Sequence, residues 1–301
     1  MQAAKWAQAA ANSALMACYF SENMVYFSTE CEKEVSFVTD LMSAVALLQN
    51  DNIRFGYRQY QAPMLAAFRP HAHDLWEILY VPGGNAFCMI EGRRYRLSGP
   101  TLILHRPARI HRIQVEGDKV YEHYSLMCDA DALYPELARQ IPEDVELVRL
   151  AGQSAVPELF REMRMHYEQS SGDCYKSVFP ALIEELFHKI ITAINENQTQ
   201  KPISEDPVVR VATAYISKHI IALESVEELC TALSVTKKRL YDLFIRHMLL
   251  APQRYIQVKR LALVQMALRS CPNPKTLLMQ YGFRDYEAFR SAYYRFYTQE
   301  P

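Results

Sequence analysis

No run of 18 or more uninterrupted apolar residues occurs in the 301 residues, which excludes a membrane-spanning helix of ordinary length. There is no CxxC pair. The seven cysteines, Cys18, Cys31, Cys88, Cys128, Cys174, Cys230 and Cys271, are odd in number and unpatterned, and several sit in apolar runs. They read as reduced thiols packed as small hydrophobes, hence as a cytoplasmic protein. With half of the composition apolar and only nine glycines, neither a disordered nor a fibrous class fits, and the length favours about two domains. A secretory leader is not evident either. The stretch from Ala3 to Phe20 has no charged segment ahead of it and is interrupted by Gln8, Asn12 and Ser13. Residues 1–50 are therefore expected to form a helical extension, soluble or loosely attached.

An excess of charge is also missing, the net value being −1, but the balance is local. Residues 207–301 hold 14 Lys and Arg against 7 Asp and Glu, a net of +7; the remainder, 33 − 14 = 19 against 34 − 7 = 27, carries −8. One part suits a polyanion and the other does not.

The pattern along the chain separates in the same way. From about Ile53 to Leu126, short β-branched and aromatic runs are broken by Pro82-Gly83-Gly84, Glu91-Gly92, Ser98-Gly99-Pro100 and Glu116-Gly117. Turn signals at this spacing predict a small antiparallel sandwich or barrel. Over Val156–Tyr167 and Val178–Asn195 the period becomes helical. Phe179, Ile183, Leu186, Ile190 and Ile194 form a stripe that suits packing on the barrel or pairing with a second chain. Gln198–Pro207 is polar and proline-bearing, the expected interdomain linker.

Beyond it the chain reads as helical. Val208, Val211, Ala212, Tyr215, Ile216 and His219 are expected to set a first helix on the core. Ser225 with Glu228 forms a capping box for a second, and Thr236 caps a third whose Leu240, Leu243 and Phe244 face inward. Lys237, Lys238, Tyr241, Asp242 and Arg246 are left on its outer surface. Leu240, Phe244 and Pro252 then recur 49 residues later as Phe289, Tyr293 and Pro301. In the second copy Asn273 and Asp285 are the caps and Gly282 the turn. Between the copies, Pro252 to Arg269 predicts a rod of about 18 residues and ~27 Å. That length suits two recognition helices near the roughly 34 Å separation of successive major-groove faces.

These residues resemble the AraC/XylS family of transcription regulators. The likeness rests on SVEELCTALSVTKKRLYDLFIRHMLLAPQRYIQVKRLALVQMALRS and LLMQYGFRDYEAFRSAYYRFYTQEP, notably Arg260-Leu261, Gly282-Phe283, Asp285, Phe289 and Pro301, with Ser234 standing where the family usually has glycine. It implies that Lys238, Tyr241 and Asp242, and Tyr286, Glu287, Arg290 and Ser291, lie where recognition helices meet DNA. Lys237, Arg246, Arg284 and Arg295 suit phosphates. Arg290 suits a bidentate contact with guanine, and Glu287 suits cytosine N4. The implied partners are double-stranded promoter DNA, RNA polymerase, a small-molecule effector with a sugar as the favoured class, and a second copy of the chain; no membrane is involved.

HAHDLWEILYVPGG and GPTLILHRPARIH resemble the two motifs of a cupin barrel, the usual sensor in one branch of that family. On a strand His71, His73 and Glu77 share a face because their separations are even. With His111 they suit a three-histidine, one-carboxylate metal site, or a pocket that hydrogen-bonds a small polar ligand. The expectation adopted is a ligand site at His71, His73, Glu77, Tyr80 and His111 with no metal and no cofactor. Lone His105 and His123 read as satisfied strand histidines, and Trp76, Tyr80 and Tyr95 as stacking surfaces. The fold class expected is α+β multidomain. Residues 51–200 form a cupin-like antiparallel barrel for effector sensing with a helical dimerisation segment, and 207–301 an all-α double helix-turn-helix. The competing function is a metal-dependent cupin enzyme, a dioxygenase or isomerase, with an accessory helical module.

Overall fold

A computed structural model describes residues 52–60, 66–67, 69–116, 120–152, 154–271 and 273–297. The expected extension at 1–50 lies outside them. The described chain falls into two compact units, Asn52–Met266 and a second that holds the residues from Ala267 onward.

Among the described residues of the first unit, nine strands form two antiparallel sheets. They are β1 (Ile53–Tyr60), β2 (Ala66–Ala67), β3 (Trp76–Val81), β4 (Ala86–Ile90), β5 (Arg93–Leu97), β6 (Thr101–His105), β7 (His111–Val115), β8 (Tyr121–Cys128) and β9 (Leu147–Arg149). One sheet has the order β1-β8-β3-β6-β9 and the other β2-β7-β4-β5. Leu79, Val81, Ile103 and Tyr121 of the first sheet pack with Cys88, Ile90, Tyr95 and Ile113 of the second to make the core between them.

The first sheet is buried on both faces, so all six residues of β3 are buried. Its outer side is covered by α3 (Val156–Gln169) and α4 (Phe179–Asn195), which follow two short turns, α1 (Ala130–Leu133) and α2 (Pro135–Ala138). Prolines in the first turns of α3 and α4 suit positions whose N–H would be unbonded anyway. Val156, Leu159, Phe160 and Met163 give α3 one apolar stripe. The α4 stripe of Phe179, Ile183, Leu186 and Ile190 is wholly buried in the same cluster as Ile78, Leu102 and Leu126. Of the two uses the sequence allows, the stripe serves packing within the subunit.

The polar segment after α4 is pinned rather than free. Gln198 O accepts from Arg149 N at 2.8 Å and Gln200 N donates to Leu147 O at 2.9 Å. Ile203 N donates to Arg94 O at 2.7 Å, and Ser204 O accepts from Arg94 N at 2.9 Å. The segment thus ties the β9 edge of one sheet to the β5 edge of the other.

Four helices follow: α5 (Pro207–His219), α6 (Val226–Leu233), α7 (Lys237–Met248) and α8 (Pro252–Leu268). Asp206 caps α5 by accepting from Val208 N at 2.8 Å and Val209 N at 3.1 Å. The buried side of α5 is Val209, Ala212, Thr213 and Ile216, rotated from the expected stripe, and Val211 is exposed. Ser225 caps α6 through Glu228 N at 3.1 Å, while the Glu228 carboxylate returns to Glu224 N at 3.0 Å rather than to the cap residue itself. Ser234 follows at φ +54°. The turn demands the left-handed backbone that glycine adopts without strain, which gives the physical reason for glycine there. Thr236 caps α7 through Arg239 N at 3.2 Å. Arg260 fixes the rod by donating to Ile220 O at 3.1 Å and Leu223 O at 2.6 Å.

In the second unit α9 (Pro274–Gln280) is capped by Asn273 through Thr276 N at 3.3 Å, and Gly282 turns at φ +82°. The helix α10 (Tyr286–Tyr297) starts behind Asp285, which accepts from Ala288 N at 2.8 Å. Phe283 and Phe289 meet edge to face at 5.4 Å in its core.

Candidate functional site

Backbone pairing gathers the histidines. His71 and His111 exchange both main-chain hydrogen bonds, at 3.0 and 2.9 Å, which places their rings side by side with centroids 4.5 Å apart. His73, in the segment that leads into β3, has its ring centroid 5.0 Å from that of His111. Glu77 then faces His105 in register across β3 and β6. The His105 and His111 rings stack at 3.7 Å, nearly parallel at 11°. Four imidazoles and a carboxylate therefore share one patch.

Protonation follows from the hydrogen bonds. His71 Nδ1 lies 2.7 Å from Arg69 O and His111 Nδ1 2.8 Å from Arg109 O. A carbonyl only accepts, so each Nδ1 carries a proton, and His71, which burial keeps neutral, presents a lone pair at Nε2. Glu77 Oε1 accepts from Ser125 Oγ at 2.9 Å. Its Oε2 is 3.2 Å from His111 Nε2 and 3.5 Å from His73 Nε2, near enough for charge attraction though neither nitrogen is aligned for a hydrogen bond. Burial alone raises the Glu77 carboxyl, but the facing His73 and His111 outweigh it and hold the acid well below the usual range. Burial, with His111 and His73 adding, lowers His71 to about 3. Burial also pushes His105 well below the ordinary value, with His111 contributing. The result is an anionic carboxylate beside two neutral imidazoles, His71 and His105.

His73 Nε2, His111 Nε2 and both ring nitrogens of His105 are buried without a hydrogen-bond partner. A buried polar atom left unpaired costs about 1–3 kcal/mol, so their convergence is the mark of a site rather than of packing. One ligand atom from each of His71, His73 and His111 lies within 4.8 Å of the others, and the same holds for Glu77, His105 and His111. The donor set fits a divalent cation of the kind that binds imidazole nitrogen and carboxylate oxygen.

Two expectations for this patch change. Tyr80 is an odd number of residues from Glu77 and so lies on the opposite face, stacked against Phe160 at 5.4 Å in the outer core. Trp76 points the same way, against Phe187 at 6.0 Å. Tyr95 is core as well, its hydroxyl donating to Glu146 Oε2 at 2.6 Å. Conversely His105 is not a satisfied strand histidine but part of the cluster. His123 is half-buried with a buried, unpartnered Nδ1, and Tyr121 is buried with an unpartnered hydroxyl. The missed signal was parity: His105 shares the inward side of β6 with Ile103, and His123 and Ser125 share that of β8 with Tyr121.

The helical residues singled out for DNA lie on open surfaces. Lys237, Lys238, Asp242 and Arg246 are exposed along α7 and Tyr241 is half-buried, opposite the buried Leu240, Phe244 and Met248. Lys237 pairs with Glu227, and the Tyr241 hydroxyl donates to Gln253 Oε1. In the second unit Arg284, Glu287, Ser291 and Arg295 are exposed, with Tyr286 and Arg290 half-buried. Arg290 donates to Glu287 Oε2 at 2.6 Å and Arg284 to Asp285 Oδ2 at 2.8 Å. Each surface is basic, with its charges partly occupied by neighbours on the same unit.

Residues 56–191 match the family described as the AraC-like ligand binding domain. Over 249 residues the chain is 23% identical to the HTH-type transcriptional activator RhaS of Salmonella arizonae, spanning 78% of this chain and 87% of that protein. The RhaS of an Enterobacter species is 23% identical over 254 residues, with the same two shares of 78% and 87%. Among solved structures, ToxT from Vibrio cholerae O395 is similar at a TM-score of 0.38 and 11% identity, covering 81% of this chain and 93% of that one.

Proposed function

We propose, for a chain that belongs to the AraC family of transcription regulators, that occupancy of the histidine patch controls how residues 207–301 lie on promoter DNA. The protein is a ligand-responsive DNA-binding regulator, and its relatives are transcriptional activators rather than enzymes. The metal-enzyme reading therefore falls away. Recognition is assigned to Lys238, Tyr241 and Asp242 on α7 and to Tyr286, Glu287, Arg290 and Ser291 around α10. Phosphate contacts go to Lys237, Arg246, Arg284 and Arg295. The charge division and the exposed basic faces support this assignment.

The observation that carries the effector class is the anionic Glu77 beside the neutral, acceptor-bearing His71 and His105. Such a lining pairs with a donor-rich compound, a polyol or sugar, and repels a carboxylate. The ligand contacts are His71, His73, Glu77 and His111, joined by His105; Tyr80 is left out. RNA polymerase and homodimerisation come from the family resemblance and a cytoplasmic setting from the unpatterned cysteines, and the buried α4 stripe is not the seam of that dimer.

Footprinting of the full chain on its own upstream region, with and without candidate sugars, tests the reading. Protection over two adjacent major-groove segments that changes with one sugar supports it; protection that no neutral donor-rich compound alters counts against the effector class.

A second reading of the same patch rests on the unpartnered nitrogens. His71, His73, His111 and Glu77 would hold a divalent cation, which supplies a fixed positive charge for binding ligand oxygens. Calorimetric titration of dialysed protein with Zn²⁺ or Mn²⁺ is then expected to show one site per chain that His111→Ala removes. Heat that is unchanged by that substitution counts against the cation.

A further inference from the structure

The turn between β4 and β5 carries a carboxylate that the turn itself does not need. Glu91 and Gly92 both have positive φ, +49° and +83°. A two-residue hairpin turn of type I′ demands such a pair, and asparagine or aspartate usually fills the first place because they tolerate the left-handed backbone better than a longer side chain. The Glu91 side chain is nonetheless buried, 4% exposed. Its Oε1 accepts from Ile110 N at 2.8 Å and from Lys259 Nζ at 3.0 Å, and its Oε2 accepts from the Tyr255 hydroxyl. Tyr255 and Lys259 stand one turn apart on α8 and are 0% and 4% exposed. Gly92 shows how closely the turn is seated. A Cβ there would lie 2.6 Å from Val209 Cγ1 of α5 and 3.1 Å from Met248 Sδ of α7.

The β4–β5 turn therefore meets three helices: the Glu91 carboxylate bonds to α8, and Gly92 is seated against α5 and α7. Glu91 also receives the Ile110 amide and donates its own N–H to Ile110 O at 2.9 Å, and the next residue, His111, belongs to the histidine patch. The path from patch to rod helix is one peptide unit and two hydrogen bonds long. Nothing on this path covers Lys238 or Tyr241, so its role is not to block the reading face.

We infer that Glu91 is a positioning residue that couples the patch to the DNA-binding helices, holding α8 to the backbone beside His111 so that a shift at either end is felt at the other. This rests on the reading of residues 207–301 as the DNA-binding part and names how the patch regulates it.

Coupling between two sites is reciprocal, so DNA can be used to read it without knowing the effector. Hydrogen exchange of the full chain is measured with and without a duplex from its own upstream region, for the wild type and Glu91→Gln. In the wild type, DNA is expected to slow exchange several-fold in the β4–β5 turn and in His111–Val115. In Glu91→Gln the protection stays within the helices. DNA binding that leaves the turn and β7 unchanged in the wild type overturns the coupling and spares the DNA-binding reading. No DNA binding by the wild type overturns that reading, and the lock is then judged by thermal midpoints of Glu91→Gln, Lys259→Met and the double variant. A double variant no worse than the worse single supports the lock; shifts that add overturn it.

Discussion

Glu77 and His105 face each other in register across β3 and β6, and neither ring nitrogen of His105 has a hydrogen-bond partner. A buried imidazole with both nitrogens unpaired is a cost that folding alone does not require. Leucine in its place removes two unpaired polar atoms while filling most of the space. His105→Leu is therefore expected to stabilise the free protein by about 1–3 kcal/mol in urea unfolding and to weaken binding at the patch. A destabilised variant would show that the ring is satisfied in solution.

The neutral histidines also set an acid limit. Burial lowers His71 to about 3 and His123 to about 4, whereas an unfolded chain takes up those protons near 6.5. The folded values are depressed, so the stability they carry is complete above about 6.5 and is lost as pH falls toward those lower values. Each group adds a slope of about 1.4 kcal/mol per pH unit over its window. Urea midpoints should fall clearly between about pH 7 and about pH 5, and a flat profile would mean that these rings protonate inside the fold.

Much of this architecture was legible because local chemistry agrees with it. Ser225, Thr236, Asn273 and Asp285 all cap the helices they announce. Even spacing named His71, His73 and Glu77 together. The strand, however, begins at Trp76 behind bends at Asp74 and Leu75, so the His71–His111 bridge and not a shared strand face brings the first two to the patch. Strand parity was the harder step: Tyr80 looked available for stacking, yet an odd separation from Glu77 turns it to the outer core. Parity turns His105 to the inward side of β6, but only the β3–β6 register, which no local pattern encodes, sets it opposite Glu77. The Glu91–Lys259 pair spans 168 positions and was equally invisible. The α5 stripe erred by rotation, since overlapping apolar choices left Val211 or Val209 equally able to face inward, and Val209 is the buried one.

The α4 stripe gives a third test. Ile183 and Ile190 are 0% exposed and pack within the subunit. Aspartate at Ile183 should not yield a folded monomer but should cost more than about 4 kcal/mol, through an unpaired buried carboxylate and lost apolar contacts. Circular dichroism during urea unfolding checks the loss. A stable, folded species of halved mass by light scattering would instead place this face in an intersubunit seam.

Arg290 and Glu287 provide the sharpest test of DNA reading. They sit three residues apart on α10 with the guanidinium donating at 2.6 Å, and their side chains are 30% and 54% exposed. A pair this exposed is worth only about 0.2–0.5 kcal/mol, so DNA can release Arg290 cheaply for a bidentate contact with guanine. Arg290→Ala should then relax discrimination at one base-pair position by about 1–3 kcal/mol and leave the others intact. Arg246 on α7 is the contrasting case, an exposed cation suited to a phosphate. Its alanine variant should weaken binding to all duplexes alike and lower the salt slope by about one. Fluorescence anisotropy on a panel of single base-pair variants at several salt concentrations separates the two patterns. A uniform loss for Arg290→Ala would move that residue to the phosphate class and leave Glu287 as the base reader of the second unit.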